Sequence, residues 1–185
     1  MEINFRANLV TRTNVLKLGK HTKKYAPTEV SFVKIDRELK SDIKALREIK
    51  KIWPYSFASN IYKEASNSEY LVDVYALTTQ EKDFEYLNPN NIIGLVETSN
   101  RYKGSIYLEY LQTNPQYIAD EDSDMPLYKK IGTTMLNLLK NLESTEIIKL
   151  SPTFSSIDFY AKNDFKVDAK DEGTIIWEKN KKGDF

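Results

Sequence analysis

The stretch Leu127 to Leu139, "LYKKIGTTMLNLL", reads as a loop that opens an amphipathic helix. Ile131, Met135, Leu138, Leu139 and Leu142 recur at the spacing of one helical face. Gly132 stands inside the first turn, where glycine costs about 1 kcal/mol against alanine, so the missing side chain has a use there. Two uses are open. A helix start offers unpaired N–H groups and partial positive charge to a pyrophosphate, and a missing Cβ permits close approach. Lys129, Lys130, Thr133 and Thr134 would add charge and hydroxyl donors, and the backbone of Ile131 another amide. Alternatively, Gly132 lets the helix pack on a neighbouring strand and the lysines are solvated.

Working outward, "YLVDVYALTT" (70–79), "NIIGLVETS" (91–99) and "GSIYLEYLQTN" (104–114) are strand candidates, joined by turn-forming "NPNN" and "NRYKG", short enough for an antiparallel meander. Before them, "EVSFVKID" (29–36) alternates as a strand, and Leu39, Ile43, Leu46, Ile49, Ile52 and Trp53 form a helical stripe interrupted by Pro54. "YSFASNIYKEA" reads as a shorter helix, aromatic through Tyr55, Phe57 and Tyr62. After the opening helix come "EIIKLSP" as a buried strand, "SSIDFYAKNDF" as a short helix and "GTIIWEK" as a last strand. This order indicates one α/β (α+β) domain over residues 29–185. Residues 1–28 carry Arg6, Arg12, Lys17, Lys20, Lys23 and Lys24 against Glu2 alone. They are expected to be a basic extension, either lying across the domain or pairing one short strand, or else an arm for an acidic partner.

Composition removes several chemistries. Lys+Arg and Asp+Glu both number 27, so overall charge draws the chain to neither nucleic acid nor an anionic membrane. There is no cysteine, which excludes disulfides, thiolate metal sites and cysteine nucleophiles. His21 is the only histidine, so a multi-histidine metal site is excluded, and no metal is expected. No apolar run approaches the roughly 20 residues of a membrane span, and the N-terminus lacks a secretory apolar core, so the expected address is the cytoplasm.

Three local sequences in this order resemble the GNAT acetyltransferase superfamily over roughly residues 29–179. "IYLEYLQTNPQY" (106–117) is similar to the family's fourth strand, "KKIGTTMLNLL" to its acetyl-CoA pyrophosphate loop and helix, and "SSIDFYAKNDF" (155–165) to the helix ending in Phe-Tyr. The loop is degenerate: in the pattern [RQ]-x-x-G-x-[GA], Leu127 and Lys130 replace the first two fixed residues and only Gly132 remains. An acidic insertion with Asp120, Glu121, Asp122 and Asp124 precedes it, expected to loop outward. Asn163-Asp164 stands where Gly is common, and both residues tolerate the left-handed conformation.

The resemblance implies a GNAT-like, mostly antiparallel sheet flanked by helices and an acetyl-CoA-dependent N-acetyltransferase. The coenzyme would lie between splayed strands, against Leu111, Gln112 and Thr113 and the loop at residues 129–134. Tyr160 would supply the leaving-group proton, and Glu109 or Glu97 the base, directly or through water. Each has an ordinary alternative: a helix tyrosine packed on the sheet, and a solvated or salt-bridged strand carboxylate. Strand alternation places Glu109 with Tyr107, Leu111 and Thr113 on one face. The acceptor, a small-molecule or peptide amine, would lie between the first two helices and the meander, near Trp53, Tyr55, Phe57 and Tyr62. A homodimer is a further expected partner state, and a non-catalytic GNAT-like binding module is the alternative function.

Overall fold

The helical stripe read from the sequence is the inner face of α1 (Lys40–Ile52). Ala45, Leu46 and Ile49 are buried, while Lys40, Lys44, Arg47 and Lys51 face solvent. The computed structural model describes residues 8–53, 56–84, 86–102, 104–117, 125–143 and 145–179. Arg6, Pro54, Tyr55 and the acidic residues Asp120, Glu121, Asp122 and Asp124 lie outside the described residues. The aromatic helix is α2 (Ala58–Ala65), with Ala58, Ile61 and Ala65 buried. Trp53 is core, Tyr62 is half-buried and Phe57 is exposed, so that aromatic segment divides between core and surface.

The chain starts with β1 (Asn8–Leu18) and β2 (Tyr25–Lys34), before α1 and α2. The meander follows as β3 (Val72–Thr78), β4 (Ile92–Tyr102) and β5 (Ser105–Thr113). Then come β6 (Tyr128–Lys129), α3 (Ile131–Lys140), β7 (Ile147–Leu150), α4 (Ile157–Ala161), β8 (Lys166–Val167) and β9 (Ile175–Glu178). Among the described residues the strands form one nine-stranded sheet in the order β6-β1-β2-β3-β4-β5-β7-β9-β8. Every pairing is antiparallel except β5 with β7, which is parallel. The mixed, mostly antiparallel architecture is the one expected.

The N-terminal segment pairs a strand, longer than the one short strand allowed for a basic extension. Its residues 8–18 form an eleven-residue strand paired along β2, from Asn8 opposite Lys34 to Leu18 opposite Tyr25. The sequence shows little periodicity there because Val15 is the strand's only buried residue. Arg12 holds the hairpin's outer surface by donating to Glu29 Oε1 (2.7 Å) and the Glu81 carbonyl (2.6 Å).

Alternation along the central strands sends neighbours to opposite faces. Phe32, Tyr75 and Val96 join Met135, Leu136, Leu139 and Ile148 in the core under α3 and α4. Val33, Val74 and Leu95 join Leu46, Ile49, Trp53 and Ile61 under α1 and α2. Fully burying each large apolar side chain contributes about 1.5–3 kcal/mol, so the sheet is held from both sides. Gly94 on β4 allows α3 to approach, since a Cβ there would stand 2.7 Å from the Met135 thioether. Arg37 closes the other layer, donating to the carbonyls of Ala65 (3.0 Å), Asn67 (2.6 Å) and Tyr70 (2.6 Å). Its charge at the end of α2 suits the negative pole of that helix. Among the described residues, no helix is long and apolar enough to cross a membrane.

β4 and β5 lose register once in mid-strand. Glu97 faces Tyr110 but Thr98 faces Leu108, which leaves Glu109 as the extra residue of a bulge. Side-chain alternation therefore slips at Glu109. Ile106, Leu108 and, beyond the bulge, Leu111 all pack on the α3 side, while Tyr110 packs on the α2 side. The simple alternation that grouped Glu109 with Leu111 and Thr113 does not hold.

Candidate functional site

Parallel pairing of β5 with β7 extends only from Ser105–Ile147 to Tyr107–Lys149. Beyond it, β5 stays on β4 as far as Thr113 opposite Gly94, while β7 stays on β9 as far as Leu150 opposite Ile175. The two strands part. At the fork the hydroxyls of Tyr107 and Ser151 are 2.7 Å apart in a hydrogen bond. The opening leaves the edge of residues 110–113 without a β7 partner among the described residues, and the start of α3 lies beside it.

The first intrahelical bond of α3 runs from the Thr134 amide to the Lys130 carbonyl (2.8 Å), so the amides of Ile131, Gly132 and Thr133 precede the ladder. They border a cavity of about 400 Å³ lined also by Thr113, Lys129, Lys130 and Phe159. Tyr117 and Tyr128 complete the lining, their rings edge to face at 4.9 Å. Lys130 caps the helix at φ 66° and ψ 15°, the left-handed conformation that glycine adopts without strain and other residues reach at about 1–2 kcal/mol. A lysine thus makes a turn that glycine would make without strain.

The N-terminal hairpin pins this turn. β6 pairs with β1 through Tyr128 opposite Lys17 and Lys129 opposite Leu16. The Leu18 amide donates to the Leu127 carbonyl (2.9 Å), and the Tyr25 hydroxyl to the Pro126 carbonyl (2.7 Å). Lys129 Nζ lies 4.2 Å from the centroid of Tyr25, and Lys17 Nζ 5.5 Å from that of Tyr128. Lys17 and the ring of Tyr25 therefore belong to the surroundings of the cavity, which the sequence reading missed. A two-residue strand has no periodicity to announce it.

At Gly132 the packing use is visible. A Cβ there would meet Phe159 Cζ at 3.0 Å, so the absent side chain makes room for an aromatic wall of the cavity. Of the expected coenzyme contacts, the structure gathers Thr113, Lys129, Lys130, Ile131, Gly132 and Thr133 around one space. Leu111 packs on the core instead. Gln112 turns toward α2, its Oε1 accepting from the Phe57 amide (3.4 Å). The Thr134 amide is spent inside the helix.

Tyr160 is buried in the same core, edge to face with Phe159 (5.1 Å) and Phe165 (5.5 Å). Burial pushes its phenol up to about 12, so it keeps its proton at neutral pH. Asp164 adopts φ 66° just before Phe165, as its residue type allows. The buried Lys140 donates to the Asn163 carbonyl (2.6 Å) and fixes this turn.

Across the sheet, Glu109 is half-buried and accepts from the Ser99 hydroxyl (2.6 Å). Glu97 is fully buried, and its carboxyl lies against that of Glu64, to which it donates when protonated. Burial, then the nearby Glu64 and Glu109 carboxyls, push Glu97 up to about 9, with Arg37 opposing weakly. It is uncharged at pH 7 and reaches its basic form only by losing that proton. Among the described residues, no group of His, Asp or Glu side chains is placed to hold a metal.

No protein-family model matches the chain, and no curated protein matches it in sequence. Solved structures do match in fold. The PaiA N-acetyltransferase of Thermoplasma acidophilum, solved with coenzyme A, is 17% identical with a TM-score of 0.52, over 82% of this chain and 100% of that one. Tetrahymena GCN5 is 13% identical with a TM-score of 0.55, over 80% and 94%. The Campylobacter jejuni N-acetyltransferase PseH is 16% identical with a TM-score of 0.50, over 81% and 98%. The chain has the GNAT N-acetyltransferase fold.

Two outcomes follow from this geometry. Lys130→Gly, which suits φ 66°, is expected to be at least as stable as the parent, whereas Lys130→Val loses about 1–2 kcal/mol; urea unfolding checks both. Glu97 keeps its proton to about pH 9 when folded but releases it near 4.5 when unfolded, so its contribution is full below about 4.5 and falls as pH rises toward 9. Between pH 5 and 8 the parent should lose stability relative to Glu97→Gln by up to about 1.4 kcal/mol per pH unit. Parallel stability curves for the two proteins would contradict the assignment.

Proposed function

We propose that the chain is an acetyl-CoA-dependent N-acetyltransferase acting on a primary amine of a small molecule or peptide. The observation that carries this reading is a coincidence of three features: the strands part, a helix starts beside the opening, and a cavity of about 400 Å³ joins them. A pyrophosphate fits there. The amides of Ile131, Gly132 and Thr133 would bond its oxygens, and the charges of Lys129 and Lys130 would balance it. Lys17, held over Tyr128, adds a third cation nearby. The edge of β5 over residues 110–113 would take the pantetheine amides, so Leu111 and Gln112 contribute backbone and Thr113 also its side chain.

Bound acetyl-CoA supplies the activated acetyl group. The protein orients the amine, and a carboxylate takes its proton. Glu109 fits the base role better than Glu97, because it is half-buried at the bulge rather than sealed in the core, and is held by Ser99. Tyr160, protonated throughout the neutral range, is the assigned acid for the leaving thiolate. Its place in the core behind Phe159 favours the second reading, a GNAT-like binding module without catalysis.

Acetyl-CoA at 100 times its dissociation constant is expected to stabilise the protein by about 2.7 kcal/mol, read as a rise in melting temperature. Tyr160→Phe should keep that rise while turnover, measured as coenzyme A release with a panel of amines, falls roughly 10²-fold. Coenzyme binding with no turnover on any amine would support the binding module, and full activity in Tyr160→Phe would move the acid role elsewhere.

A further inference from the structure

The solvent side of α1 carries a basic groove that neither the sheet nor the proposed transfer uses. Lys40, Lys44 and Arg47 recur along α1 at the spacing of one helical face, and all three are exposed. Together with Arg37, Ile43 and Tyr62 they line a groove of about 370 Å³ where α1 passes α2. Glu38 is the one acid among the lining residues. Ile43 and the ring of Tyr62 are its apolar part, and Lys50 Nζ stands over that ring, 5.1 Å from the centroid.

These cations are placed against the interest of their own helix. Lys40 stands in the first turn of α1, where the helix pole is already positive, and Lys44 follows it at the next turn, where like charges repel. Asp42, the acid of that first turn, does not compensate: it is buried, and its Oδ2 accepts from the Asp36 amide (2.9 Å). Among the described residues neither lysine makes an ion pair. Arg47 comes within 3.8 Å of the Glu48 carboxylate, which Lys51 holds at 2.8 Å. Arg37 donates to the carbonyls of Ala65, Asn67 and Tyr70, so its place is fixed while its charge remains. In a chain whose formal charge is zero, such segregation of cations around one groove marks a surface for an anionic partner.

We infer that this groove docks an extended acidic peptide segment of a partner protein, with its carboxylates on Lys40, Lys44 and Arg47 and its apolar side chains against Ile43 and Tyr62. The spacing suits a peptide. Lys40 and Lys44 stand about 6 Å apart along the helix axis, and alternate side chains of an extended chain stand about 7 Å apart. Arg47, about 5 Å further along, offers its guanidinium fork to a carboxylate in two parallel bonds. A nucleic-acid backbone fits less well, because Glu38 repels it and Lys50 already covers a face of the Tyr62 ring on which a base would stack. The inference is independent of the transferase reading, since α1 and α3 lie on opposite faces of the sheet and the groove is on the outer side of α1.

The test is fluorescence anisotropy on the full chain at neutral pH and low salt. The probes are a short labelled peptide alternating glutamate and leucine, its glutamine counterpart and a short labelled RNA. The acidic peptide is expected to bind at least about tenfold more tightly than the glutamine peptide, and to lose that advantage at high salt. Lys40→Gln combined with Lys44→Gln should remove the preference without lowering the melting temperature, because it relieves repulsion at two exposed positions. Lys20→Gln combined with Lys24→Gln deletes the same charge from exposed positions of the N-terminal hairpin and should leave the affinity unchanged, which separates this groove from a general attraction to lysine. Equal binding of the two peptides, no binding of the acidic peptide at millimolar concentration, or an equal loss in both double variants would each overturn the inference. So would RNA binding more tightly than the acidic peptide with the same dependence on Lys40 and Lys44.

Discussion

The candidate site depends on one constraint, that β5 cannot remain paired with both its neighbours. It bonds β4 to its end at Thr113 but leaves β7 after Tyr107, and the bulge at Glu109 marks where its course changes. A bulge adds twist and bend to the strand that carries it, so the strand that turns away is the one with the extra residue. Parting exposes a backbone edge inside the fold rather than at its rim. An edge of unpaired N–H and C=O groups there is costly unless something of extended, amide-bearing chemistry takes it. The helix start at Ile131 and the cavity beside it give the same opening a place for negative charge.

The loop that opens α3 shows how one unfavourable residue is absorbed. Lys130 occupies a left-handed turn, and a strand pair from the N-terminal hairpin holds its neighbours Tyr128 and Lys129 in position. Strain of about 1–2 kcal/mol at one residue persists only where surrounding contacts over-determine the backbone. Here those contacts include the bonds from Leu18 and Tyr25 to the segment at residues 126–127. The basic N-terminal residues thereby acquire a structural purpose, and Lys17 in particular is held over the ring of Tyr128, which lines the cavity.

Much of this was legible in the sequence wherever one face of an element is buried. The α1 stripe, the meander and the buried β7 follow from apolar spacing, and they sufficed for the architecture. β1 was not legible as a long strand because its hydrogen bonds, not its side chains, secure it. Nor was the bulge, since one extra residue leaves no mark on composition and reverses every face assignment after it. Gly132 has a packing use, against Phe159 of α4 more closely than against the strand expected, and its amide borders the cavity that the pyrophosphate reading requires. Glu97 sits in the apolar run "IIGLVETS", which signals burial, but its neighbour Glu64 comes from another element and no linear pattern pairs them.

The most direct measurement is amide hydrogen exchange across the chain with and without coenzyme A. Occupation of the parted strands predicts new protection at the amides of residues 111–113 and 131–133 together, with the outer face of α1 unchanged. Protection confined to other segments, or none at a concentration that saturates binding, would contradict the placement of the coenzyme in this cleft.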